Sequence, residues 1–128
     1  MVRTKIAQWT HHLQNGILKM KLPILIFAPR LHVRGMALFP FILLREKSFA
    51  ADPVIMNHEL IHHRQQVELL IIPFYFFYLL HYIINRFRFP DHHSAYRHII
   101  FEKEAYANES NLNYLEQRKW FGFWRYSK

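Results

Sequence analysis

Cysteine is absent from this sequence. Its absence excludes disulfides and every zinc finger built on thiolates, and it fits a reducing compartment. Acid is also scarce. Nine Asp/Glu stand against 17 Lys/Arg, a formal net charge of +8, and residues 1–51 hold eight Lys/Arg against one acid, Glu46. Such a balance favours an anionic partner, a membrane surface or nucleic acid. No nucleic-acid-binding module is recognisable, so nucleic acid is not the expected partner. No apolar core with a small-residue cleavage site follows Met1, so a signal peptide is not expected. The most hydrophobic stretch, residues 69–84, has 16 residues and contains Pro73 and His81. That is short of the roughly 20 residues a transmembrane helix needs.

What is present is apolar and aromatic. Hydrophobic residues make up 52% of the 128, which excludes general disorder, and aromatics make up 17%. The length suits a single domain, 1–128. Residues 4–15 carry Ile6, Trp9 and Leu13 at helical spacing, which predicts a short helix with His11 and His12 on its surface. Between 22 and 45, short apolar runs are punctuated by Pro23, Pro29 and Gly35. They predict two or three short β-strands with Gly35 at a turn. Pro40 inside the last run points to an edge strand or a bulge.

Asp52-Pro53 is a helix start, with Asp as N-cap and Pro in the first turn. The helix it opens is expected to reach about Ile72, and it contains Asn57-His58-Glu59-Leu60-Ile61-His62-His63-Arg64-Gln65-Gln66. H-E-x-x-H places His58 and His62 one turn apart on one helix face, able to hold a single metal ion. Glu59 lies close enough to act as general base on a water at that metal. His63 points about 100° away from His62 and is not an expected ligand. Gln66 shares the stripe of His58 and His62; it either orients a ligand or is an ordinary polar residue.

The apolar stretch 69–84 lies between the motif and any later ligand. A straight crossing would put them on opposite sides of a membrane, so a helical hairpin is expected, turning at Pro90-Asp91. The hairpin is either a soluble core or a membrane-associated element; Arg86 and Arg88 at its end suit an interface. Ser94 is then the expected N-cap of a long helix from Ala95 to about Lys119, closed by Gly122. His92, His93 and His98 match no metal-binding spacing and are read as a solvated loop. Within the long helix, Glu102 and Glu104 are the candidate third ligands. They stand about 200° apart, so one of the two can face the ion, and Ala105 and Ala107 allow close helix approach.

The two motifs together resemble the gluzincin metallopeptidases, which carry H-E-x-x-H on one helix and E-x-x-A, often followed by Asp or Asn, on a later one. Two registers fit. Glu102-Lys103-Glu104-Ala105 is followed by Tyr106 instead of Asp or Asn; Glu104-Ala105-Tyr106-Ala107-Asn108 fits in full. The phrases N-H-E-L-I-H-x-R-Q-Q and F-E-K-E-A-Y are also similar to short bacterial zincin-like proteins, in which F-E-x-E-A recurs, and this favours Glu102. The resemblance implies Zn²⁺ held by His58, His62 and Glu102 (or Glu104), with Glu59 activating a metal-bound water against a peptide or protein substrate. Tyr96, Tyr106 and His98 are the candidates for stabilising the oxyanion.

The expected fold is therefore α+β and zincin-like. A small N-terminal β-element precedes a metal-site helix, an apolar helix and a long C-terminal helix. The expected setting is cytoplasmic or at the inner membrane, against an anionic surface. The alternative is a non-catalytic, membrane-associated basic protein with a structural metal or none.

Overall fold

The computed structural model describes residues 23–128; the helix expected over 4–15, with His11 and His12, lies outside them. The fold is α+β, a three-stranded sheet followed by five helices. Two compact units divide the chain, 1–63 and 64–128. The boundary falls inside one uninterrupted helix.

In the first unit, β1 (Ile24–Phe27), β2 (Gly35–Leu38) and β3 (Phe41–Leu44) form a sheet of order β1-β3-β2. β3 runs parallel to β1 and antiparallel to β2. The apolar run 38–44 is thus two strands rather than one edge strand, because Phe39-Pro40 forms the turn between them, across a cis peptide bond. Pro40 has no N–H to donate, and in a turn it needs none. β3 is central and alternates, with Ile42 and Leu44 fully buried and Phe41 exposed. The register pairs Ala37 with Ile42 and Gly35 with Leu44, so these four residues share the buried face. Gly35 is therefore a strand residue and not a turn.

A 3₁₀ turn (Lys47–Ala51) leads to α1 (Pro53–Glu68). Its start is as expected: the Asp52 carboxylate accepts from the N–H groups of Val54 (2.9 Å) and Ile55 (3.1 Å). Such a cap contributes about 1 kcal/mol. Ile55, Leu60 and Ile61 are buried. His63 ties α1 to the sheet, its Nε2 lying 2.8 Å from the carbonyl oxygen of Phe41.

In the second unit α1 ends at Glu68, and Leu70 and Ile71 both have positive φ (59° and 67°). This conformation is costly for a β-branched residue. It bends the chain by 112° into α2 (Ile72–Arg88). Among the described residues no single helix is long and apolar enough to cross a membrane.

The long helix expected over 95–119 is instead three: α3 (His92–Arg97), α4 (Ile100–Asn108) and α5 (Tyr114–Gln117). Asp91 and not Ser94 caps α3, accepting from the Ser94 N–H at 2.7 Å and hydroxyl at 2.8 Å. α3 stops at His98, whose Nδ1–H donates to the Ser94 carbonyl (2.7 Å). Ile99 is extended, and the N–H of Ile100 donates to Nδ1 of His81 on α2 (3.1 Å). A side chain 19 residues away thus serves as the cap of α4. Asn111 and Asn113 turn the chain before α5. The core of this unit is Phe74, Ile99, Phe101 and Phe123, flanked by Tyr78, Tyr82 and Tyr96.

Candidate metal centre

α1 places His58 and His62 one turn apart, and both side chains are buried. Their Nε2 atoms converge to 3.1 Å. Two imidazoles on one tetrahedral ion, each at roughly 2.0–2.1 Å, would hold their nitrogens about 3.3 Å apart. The pair is therefore close to ligand geometry. α4 supplies Glu102, which is 2% exposed. One ligand atom each from His58, His62 and Glu102 lies within 4.8 Å of the others. A buried His-His-Glu group of this kind could hold a metal ion. It is the one such group found among the described residues. His92, His93 and His98 form no second one.

Glu102 is oriented by α2. The hydroxyl of Tyr78 donates to its Oε1 at 2.8 Å. Sequence reading did not single out Tyr78, because it sits in an apolar stretch. A signal was present, since Tyr75, Tyr78, Tyr82 and Asn85 recur at helical spacing and define one polar-bearing stripe. Tyr96 also feels this site: burial first, then the Glu102 carboxylate, pushes its phenol well above the usual range. Of the other oxyanion candidates, His98 is engaged with Ser94 and the Tyr106 ring lies under Arg97.

Glu104, the alternative ligand, has a different setting. Its carboxylate accepts from Arg118 Nε (2.6 Å), Tyr114 (2.7 Å) and Gln65 Nε2 (2.7 Å). Arg118 also makes a two-pronged bond to Glu68 at the end of α1. All three side chains are fully buried. Burial alone would lower the Arg118 pKa, but its hydrogen bonds to Glu104 and Glu68 raise it above the ordinary value. Gln65 further donates to the Phe101 carbonyl (3.1 Å). It thereby fastens α4 to the last turns of α1, one residue before Glu102. Gln66, the residue singled out in the sequence, is buried as well.

Glu59 is 5% exposed, and β2 passes directly over it. A Cβ on Gly35 would lie 2.8 Å from Glu59 Oε1 and 3.2 Å from its Cδ. Glycine is required here for close approach, not for a turn. His63 is not part of the His58–His62–Glu102 group, and burial lowers its pKa to about 4. Its Nε2–H thus donates to Phe41.

Comparison of the chain with protein-family models, with curated proteins and with solved structures finds no significant match.

Proposed function

We propose that the protein is a zinc-dependent metallopeptidase whose ion is held by His58, His62 and Glu102. The observation that carries this reading is the buried His58–His62–Glu102 group with the Glu59 carboxylate on the adjoining residue of the same helix. Three protein ligands leave one of zinc's four usual positions open, as catalytic sites do; a structural site would need a fourth. None joins the group among the described residues. When bound, the ion supplies Lewis acidity toward a carbonyl and makes a water acidic near neutral pH.

The chain's own residues would supply the rest. Glu59 accepts the water's proton on its carboxylate and later delivers it to the leaving amine. Gly35 keeps that carboxylate in position. His58 and His62 present their Nε2 lone pairs, and Tyr78 fixes Glu102 by its 2.8 Å hydrogen bond. Tyr96, a buried phenol held above its ordinary pKa range, remains the candidate donor for the developing oxyanion.

The test is hydrolysis of a peptide library by zinc-loaded wild type and Glu59→Gln. The variant is expected to keep its metal and to lose at least about 10²-fold in kcat, the scale of a lost general base. Equal turnover by both proteins would overturn the mechanism. Peptides left intact by the loaded wild type would overturn the peptidase reading.

A further inference from the structure

α2 is amphipathic in reverse. Its hydrogen-bonding side chains face inward: Tyr78 to Glu102, Tyr82 to His92, His81 to the Ile100 N–H, and Asn85 to the Ala95 carbonyl. Its outer face is apolar. Ile72, Phe76, Leu79, Leu80, Ile83 and Phe87 are 43–89% exposed. No Asp or Glu occurs between 69 and 90, and Arg86 and Arg88 end the helix. A contiguous apolar face of this kind marks an interaction site.

The C-terminal segment continues it. Trp120, Phe121 and Trp124 are exposed, and residues 117–128 contain Lys119, Arg125 and Lys128, besides the buried Arg118, and no acid. A cavity of about 420 Å³ joins the two, with Phe77, Leu80 and Ile84 on one side and Phe121, Phe123 and Trp124 on the other. Leu80, Phe121 and Trp124 belong both to its walls and to the exposed face, and Phe101 and Phe123 lie at its buried side, so it opens as a depression in that face.

We propose that this face docks on an anionic lipid bilayer, with α2 lying in the interface and the depression receiving a lipid acyl chain. Three observations choose lipid over protein. The face from Ile72 to Ile84 is apolar apart from His81 at the depression, whose Nδ1 is already engaged by the Ile100 N–H, whereas a protein interface carries about one hydrogen bond per 100–200 Å². The exposed cations along it, Arg86, Arg88, Lys119 and Arg125, outnumber the exposed acids that flank it in sequence, Asp91 and Glu116, a balance complementary to anionic headgroups. A second copy would bring the same positive rim against it. Exposed tryptophans beside basic residues also suit the interfacial belt. The helix does not span. Its 17 residues reach about 26 Å, and one side is packed on Phe101 and Ile99. The inference is independent of the metal reading.

The test is co-sedimentation of the full chain with vesicles of phosphatidylglycerol and phosphatidylcholine, and with phosphatidylcholine alone. The wild type is expected to bind the anionic vesicles and to release as salt rises. Phe76→Asp combined with Ile83→Asp, at two exposed positions, is expected to weaken binding by about 100-fold with unchanged circular dichroism. Arg86→Gln combined with Arg88→Gln is expected to weaken it about tenfold or more on anionic vesicles alone. Trp124 fluorescence, read in a Trp9→Phe/Trp120→Phe background, is expected to be quenched by lipids brominated on the acyl chain. Three results would overturn the proposal: a wild type that does not sediment, binding retained by the Asp double variant, or a vesicle-inert dimer that the double variant dissociates.

Discussion

Gly35 lies so close to Glu59 that the smallest side chain would touch it: a Cβ there would stand 2.8 Å from Oε1. What would have to move is the far end of a flexible side chain, so the shift falls on the carboxylate and not on the strand. Gly35→Ala is therefore expected to fold and to keep its metal. Its hydrolytic rate should fall by about 10–100-fold, the range in which a misplacement near 1 Å acts. Metal content and turnover measured on the same preparation check this; undiminished turnover would remove Gly35 from the account.

Tyr78→Phe removes one hydroxyl, the donor to Glu102. Outer partners of metal ligands typically contribute 10–100-fold in affinity. The variant is expected to bind zinc about tenfold or more weakly, read by chelator competition, with its ring packing beside Phe101 intact. Unchanged affinity would mean that Tyr78 only packs.

Arg118 neutralises two buried carboxylates from α1 and α4. Arg118→Met leaves Glu68 and Glu104 without their shared cation. Breaking a buried pair from one side costs about 3–5 kcal/mol. Denaturant unfolding should show that loss. Arg118→Lys should recover little of it, because one ammonium does not reproduce the guanidinium's fork.

His63 gives a pH dependence with a definite sign. Its folded pKa is lowered to about 4 from 6.5. Between these values the unfolded chain binds the proton and the folded chain does not. The stability held above pH 6.5 is thus lost as pH falls toward 4, by about 3 kcal/mol in total. Unfolding of chelator-treated protein should show this slope, and His63→Gln should flatten it. Identical slopes in the two proteins would place the titration elsewhere.

Local features were legible in the sequence. Asp52-Pro53 marks the start of α1, and the i, i+4 spacing of His58 and His62 puts their rings together without knowledge of anything distant. The strands between 24 and 44 follow from apolar runs cut by Pro and Gly. What was not legible depends on contacts far apart in the chain. α4 begins where it does because His81, 19 residues earlier, accepts from Ile100. A continuous pattern over 95–119 carries no trace of that break. Glu102 and Glu104 are two residues apart with similar local surroundings. They differ in partners 24 and 14 residues distant, Tyr78 and Arg118. Gly122 looked like a helix end. Instead it leaves room for Glu104, whose Oε1 a Cβ would meet at 2.9 Å.

The most direct measurement is metal content per chain, by elemental analysis, of the wild type beside His58→Ala, Glu102→Ala and His63→Ala. About one zinc is expected in the wild type and in His63→Ala, and loss of it in His58→Ala and Glu102→Ala. A wild type that takes up no zinc after reconstitution, or a Glu102→Ala variant that keeps it, would contradict the centre described here.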